Sequence, residues 1–355
     1  MMLTNLNLAT MSEGYGLIHN AALNIEAGKI AWVGQANGAS YADIANSGGD
    51  IMSTVRATRA STENELNKTA LNRLDTLLTE CVTTVEIKSG YGLDVDTEIK
   101  MWRVARSLER QGRVTIKTTF LGAHTFPQEF KDNHEEYLNI VCNQALSAAC
   151  FARLVDAVDA FCEGIAFSVE ETEVVFKAAQ KLNLPIKLHA EQLSNVGRAK
   201  LAARYGALSV DHIEYLDEAG VESLQESGTV AVLLPGAFYY LRERQSPPVE
   251  ALRHHGVPIA IATDLNPGSS PVNSLLTTMN MACVLFGLTP EEALRGVTIN
   301  AARALGLRDR GQIKVGLKAD LAFWNIERPE DLACPLGFNP IAAIMQNGVF
   351  SKGFT

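Results

Sequence analysis

Between residues 82 and 263 the sequence alternates, without a break, short apolar runs and helix-patterned stretches. The runs are VTTVEIK (82–88), VTIKTTF (114–120), LVDAVDAFC (154–162), LPIKLH (184–189), ALSVDHI (207–213), TVAVLL (229–234) and VPIAIAT (257–263). Helical patterns start at Thr62 and recur over 96–110, 169–182, 195–205, 217–226 and 248–255, then fill much of 272–305. This order predicts parallel strands joined by right-handed helical crossovers. Most of the runs are apolar almost throughout, as expected of strands covered on both faces. A closed (β/α) barrel wants eight such strands. Seven also suit a doubly wound sheet, so the count alone leaves both open.

The ends of the chain read differently. Residues 1–34 suggest short strands of a β meander, and 311–326 return to β patterning that could complete the same small sheet. Residues 28–45, GKIAWVGQANGASYADIA, run from a strand-like KIAWVG through Asn37-Gly38 straight into a helix-like segment from Tyr41.

The bulk numbers mainly exclude. A net charge of −9 with no basic run argues against nucleic acid and anionic membranes as partners. The six cysteines are scattered, with no Cys-x-x-Cys pair, which suits free thiols in a reducing cytoplasm. No signal peptide or apolar run of membrane-spanning length is evident.

Polar residues collect where the apolar runs end. Ser89-Gly90-Tyr91-Gly92 follows the first run, Gly122-Ala123-His124 the second and Glu163 the third. His189-Ala190-Glu191-Gln192, Asp211-His212 and Asp264-Leu265-Asn266-Pro267-Gly268-Ser269-Ser270 close later ones. In a parallel barrel these ends share one rim, where barrel enzymes place their sites. Each residue alone has an ordinary explanation. His189 could be a satisfied core histidine, and Asp264 a turn former before Asn266-Pro267-Gly268. Jointly, a His on one strand, a His on the next and an Asp on the last form a metal-hydrolase arrangement. His189 and Asp264 would ligate a divalent metal, and His212 would handle protons. No His-x-His, phosphate-binding glycine loop or Gly-x-Ser-x-Gly elbow occurs.

These residues lie in segments that resemble the imidazolonepropionases, metal-dependent amidohydrolases of histidine degradation. The segments are GGDIMSTVRATRAS (48–61), VEIKSGYGLD (85–94), TTFLGAH (118–124), FCEGIAFS (161–168), KLHAEQLSN (187–195), DHIEYLD (211–217), LLPGAFYYLRE (233–243) and ATDLNPGSSP (262–271). The resemblance implies an α/β fold, a TIM-like barrel over 37–310 with a small β-sandwich from 1–36 and 311–355. It implies hydrolytic opening of the ring of 4-imidazolone-5-propanoate to N-formimidoyl-L-glutamate. His189 and Asp264 would hold one divalent metal, zinc or iron, since Cys162-Glu163 stands where a metal-bridging lysine would be needed for two. His212 would shuttle protons, with Asp264 sharing the activation of water. Tyr91, His124 and Gln192 would contact the substrate ring, and Asn266, Gly268 and Ser269 its carboxylate end. The implied partner is a small molecule, with a homodimer as one option for assembly.

The resemblance also explains the abrupt 28–45 stretch. In the family several dozen residues follow the strand equivalent to KIAWVG. They supply the first barrel strand, a His-x-His metal pair and a substrate-binding arginine. Here Ala36 joins Asn37 directly, which accounts for seven strands rather than eight. Weak metal binding is the expectation, and the edges of 82–88 and 257–263 should lie open. Arg56 and Arg59 match other positions. Two alternatives stand beside this reading: a non-catalytic relic that binds small carboxylates, and a hydrolase of another cyclic amide or amidine.

Overall fold

A computed structural model describes Met2–Ala9, Leu17–Asn24 and, apart from Gln111 and Arg113, residues 51–352. The chain divides into two compact units, Met1–Ile44 and Ala45–Thr355. In the first, strands β1 (Met2–Ala9) and β2 (Leu17–Asn24) pair antiparallel, as the meander reading expects. The KIAWVG strand, the Ala36–Asn37 junction and the helix expected from Tyr41 lie outside the described residues.

The second unit is built on a seven-stranded parallel sheet. Its strands are β3 (Thr84–Lys88), β4 (Thr115–Ala123), β5 (Ala157–Cys162), β6 (Lys187–Ala190), β7 (Ser209–His212), β8 (Val230–Leu233) and β9 (Ile259–Ile261). They lie side by side in sequence order, each parallel to the next. A separate antiparallel sheet, β10 (Leu321–Trp324), β11 (Ile341–Gln346) and β12 (Val349–Lys352), follows the helices after β9. Among the described residues no helix is long and apolar enough to cross a membrane.

The helices begin where the local chemistry says they should. Thr62-x-x-Glu65, Ser168-x-x-Glu171 and Thr289-x-x-Glu292 each form a capping box, with side chain and backbone satisfying each other reciprocally. The last has Pro290 at its first turn, where no backbone N–H is missed. One detail escapes the sequence: Ile140–Ala145 is wound as π-helix between two short α-helices.

The sheet is strongly curled, and side-chain contacts prove it. At about 4.8 Å per strand, a flat sheet would hold β3 roughly 14 Å from β6 and roughly 19 Å from β7. Yet Lys187 of β6 reaches Glu86 of β3 at 2.7 Å, and Asp211 of β7 meets Lys88 of β3. Glu86 and Lys88 are two residues apart, so both point to the same, inner side. Lys88, Asp159 and Asp211 come from β3, β5 and β7, the alternate strands that fill one layer of a barrel.

Two strands differ from expectation. The first run was expected to be buried on both faces, but all five residues of β3 are half-buried. β3 and β9 are the edges of the sheet among the described residues, as expected of the 82–88 and 257–263 runs, but only β3 is half-buried; the three residues of β9 are buried. The last run is cut to three residues, Ile259–Ile261, and starts only after Pro258, which lacks the N–H for a ladder bond.

Candidate active site

The second strand runs further than its apolar pattern, to Ala123, and is irregular on the way. Its register against β5 slips between Phe120 and Ala123. A Cβ on Gly122 would lie 2.4 Å from the Phe120 ring, so only glycine fits there. Such a slip re-aims the residue that follows, here His124. Beyond it a line of rings crosses the rim. Tyr91 meets His124 edge-on at 5.2 Å, His124 meets Phe161 at 6.1 Å, Phe161 meets His189 at 6.4 Å, and His189 meets His212 at 5.4 Å, all between centroids. The structure thus brings Tyr91, His124, His189 and His212 together. Asp264 follows β9, and its charge is felt together with those of His189, Lys88 and Asp211. Backbone strain concentrates here as well. Glu191, His212, Ile213 and Asp264 have φ of 54°, 77°, 66° and 49°, values unfavourable to side chains with a Cβ.

Inside this rim lies an ionic cluster. Lys88 Nζ donates to Asp159 Oδ2 at 2.8 Å and to Asp211 Oδ2 at 2.5 Å. Asp159 Oδ2 is also 3.1 Å from His189 Nδ1. Burial opposes ionisation of Asp159, but the charges of His189 and Lys88 prevail and hold its carboxyl far below the usual range. Asp211 is likewise held down, to about 2, with Lys88 the main force against burial. His189 is raised because the Asp159 charge overcomes burial. For His124 and His212 the carboxylate charges of Asp159 and Asp211 are too weak to offset burial. Burial takes His124 down to about 4 and His212 to about 3, the latter aided by repulsion from His189. Asp264 is only half-buried by exposure, yet enclosed enough that burial lifts its carboxyl to about 6. The rim therefore offers two neutral imidazoles and a carboxyl that changes charge near neutral pH.

A pH dependence follows. His124 and His212 bind protons less readily folded than unfolded, where their pKa is about 6.5. Below that value the unfolded chain takes up more protons, so stability is present above pH 6.5 and is lost as the pH falls. Asp264, raised above its ordinary value, works the other way and offsets part of the loss. Denaturant melts of chelator-treated protein should show stability falling by about 2–4 kcal/mol between pH 6.5 and 4. In a His124→Gln, His212→Gln chain the fall should mostly disappear. An equally steep loss in that double variant would refute the assignment.

The loop that carries Tyr91 is wrapped around a buried carboxylate. Glu98, 1% exposed, accepts the N–H groups of Gly90 (3.1 Å), Gly92 (2.8 Å) and Leu93 (3.1 Å). Outside, Arg59 donates to the carbonyls of Gly92 (2.7 Å) and Leu93 (3.3 Å) and pairs with Asp94 and Glu129. Arg59 is thus a loop brace. His124 Nδ1 lies 3.0 Å from the Gly90 carbonyl, which only accepts, so Nδ1 carries the proton and Nε2 is free to accept.

On the opposite side, Asn266 is the centre of a tight turn. Its Oδ1 accepts from the N–H groups of Gly268 (2.9 Å) and Ser269 (2.7 Å), and its Nδ2 donates to the Asp264 carbonyl (2.7 Å). Gly268 and Ser269 therefore present backbone already committed to the turn, and Asn266 steadies Asp264. Gln192 is buried, its N–H held by Glu163 Oε1 at 2.9 Å.

The sequence reading missed Lys88, Asp159 and Glu98, and noted Asp211 only as the neighbour of His212. A signal existed for the first two. Asp159 is a charge inside a strand whose other residues are apolar, and Lys88 closes a strand that also carries Glu86; charges in such strands are costly unless paired.

A model described as the amidohydrolase family matches residues 49–335. An imidazolonepropionase of Colwellia psychrerythraea is 50% identical over 397 aligned positions, spanning 97% of this chain and 95% of that one. One from Cereibacter sphaeroides is 51% identical over 393, spanning 99% of this chain and 100% of the other. The chain belongs to the imidazolonepropionase family.

Solved structures agree on the fold at low identity. A 5-methylcytosine deaminase of Klebsiella pneumoniae superposes with a TM-score of 0.70 at 13% identity, covering 100% of this chain and 98% of that one. An adenosine deaminase of Xanthomonas campestris with bound zinc gives 0.69 at 19%, covering 90% and 76%. The Colwellia imidazolonepropionase alignment has 42 more positions than the 355 residues of this chain, so at least that many lie opposite gaps.

Membership among the imidazolonepropionases, as amidohydrolases, bears on the ionic cluster. Asp159, His189 and Asp211 bring ligand atoms within 4.8 Å of one another, a buried group able to hold a divalent ion. The two carboxylates, however, already have a cation in Lys88. The resemblance implies instead the nitrogen of His189 that faces away from Asp159, together with Asp264, as the donor set. Nitrogen and carboxylate oxygen suit a divalent transition metal, but two ligands fall short of the usual protein set.

Proposed function

We propose that this chain is an imidazolonepropionase-type hydrolase that opens the ring of 4-imidazolone-5-propanoate with water to give N-formimidoyl-L-glutamate. The observation that carries the reading is identity of 50% across 97% of the chain to a protein of that name. The convergence of His189 and His212 at one rim supports it. A zinc or iron ion held by His189 and Asp264 would polarise the ring carbonyl and ease deprotonation of water. The chain's own groups do the rest. His124 offers Nε2 as an acceptor for a ring N–H, with Tyr91 packed edge-on beside it. Asp264, ionised at neutral pH but close to its titration, takes a proton from the attacking water. His212, neutral in its buried setting, relays that proton from Asp264 to the departing ring nitrogen, taking it on one ring nitrogen as it gives one up from the other. Gln192, Asn266, Gly268 and Ser269 would meet the propanoate arm.

Incubation of the chain with imidazolone propanoate, followed by mass spectrometry, tests this. Formimidoylglutamate above the no-enzyme rate is expected to appear slowly, and faster with added zinc or iron. Its complete absence with both metals would leave the second reading, a relic that binds small carboxylates. The gaps opposite at least 42 positions favour that alternative. We place the gap at Ala36–Asn37, where the first barrel strand and its His-x-His pair would belong.

A further inference from the structure

We propose that Asp159, braced by Lys88, is the positioning residue that sets the tautomer of His189. The inference rests on His189 being a metal ligand, but its geometry stands without a metal.

Asp159 is fully buried on β5, and its two oxygens are used separately. Oδ1 accepts the N–H of Ala160 at 2.8 Å. Oδ2 faces two donors at once, Lys88 Nζ at 2.8 Å and His189 Nδ1 at 3.1 Å. The approach to His189 is close, but its angle falls short of a hydrogen bond, so Nδ1 is buried with the Asp159 carboxylate beside it and no hydrogen-bond partner among the described residues. An ionised carboxylate can only accept. A neutral His189 facing Oδ2 must therefore carry its proton on Nδ1, and its lone pair is left on Nε2. The arrangement is that of a carboxylate behind a metal-binding histidine, where the partner fixes ring orientation and raises ligand basicity.

Lys88 keeps this carboxylate in place. It ties Asp159 to Asp211, which also takes the Ser209 hydroxyl at 2.9 Å. Asp211 sits directly opposite His189 in the β6–β7 register. With its ammonium between them, neither carboxylate is free to swing to a metal in place of His189. Three strands thus converge on the orientation of one imidazole.

The test needs neither metal nor turnover. The chelator-treated chain, labelled with ¹⁵N-histidine, is studied by long-range ¹H–¹⁵N correlation at alkaline pH, where the ring is neutral. His189→Gln assigns the resonance. Free imidazole in water favours the proton on Nε2, so the reverse is diagnostic. We expect His189 as an Nδ1–H tautomer in the unaltered chain. In Asp159→Asn the amide can turn its NH₂ towards Nδ1, and the population should shift to Nε2–H. A purely structural role would leave the tautomer where it was. An Nε2–H ring in the unaltered chain overturns the proposal even if the Asn variant does not fold, and so does an unchanged tautomer in a folded Asp159→Asn chain. Either result leaves the hydrolase reading standing. Conversely, an Nδ1–H ring in a chain without turnover would count against the hydrolase reading alone.

Discussion

Insertion of the relatives' segment between Ala36 and Asn37 should turn a weak metal binder into a tight one. On the proposed reading the present chain would offer only His189 and Asp264 as ligands, because Lys88 holds Asp159 and Asp211. Adding two histidines from a restored strand gives four protein ligands, and the difference between two and four is large in affinity. Metal content after dialysis should rise from well under one to about one ion per chain. Ring opening should rise with it, by at least about 100-fold, since removing a single transition-state donor alone costs about that much. In the repaired chain, His212→Ala should stop turnover with metal retained, whereas Asp264→Ala should lose both. Metal analysis and product formation, run side by side on both chains, decide the matter. Equal metal and equal rates would mean that the gap has no functional consequence.

The largest effect on stability is expected from Lys88→Met. The side chain keeps its length but loses its charge, leaving Asp159 and Asp211 facing each other in the barrel interior. Removing one partner of a buried ion pair costs about 3–5 kcal/mol, because the remaining charge stays uncompensated. Lys88 is 21% exposed at its side chain, so the lower half of that range is the better expectation. Urea melts of the two chains give the number. Lys88→Met with Asp211→Asn should recover a good part of the loss, since one unpaired charge is then gone. A single Lys88→Met variant within 1 kcal/mol of the original, taken as about the scale of an exposed pair, would show that the cluster is solvated.

Much of the fold was legible because its signals are local. Thr62, Ser168 and Thr289, each followed three residues later by Glu, mark helix starts without reference to anything distant. Seven apolar runs became seven strands in order. His124, His189 and His212 could be placed on a rim because each stands at or beside the end of a run. What escaped was long-range. Nothing near Lys88 in the chain reveals that its partners are Asp159 and Asp211, 71 and 123 residues away. Only the curl of the sheet brings them together. The slip at Gly122 depends on the Phe120 ring. Glu98 looks like an ordinary first-turn acid of its helix, yet it serves the preceding loop.

That loop has a mechanical consequence. To swing outward, the Gly90–Leu93 segment would have to abandon the Glu98 carboxylate, which is anchored in a buried helix turn and could not follow. It would then be left in the interior without its three N–H partners, while Arg59 lost the carbonyls of Gly92 and Leu93. Each unmade bond of this kind costs about 1–3 kcal/mol. The wall bearing Tyr91 is therefore a fixed jamb rather than a door.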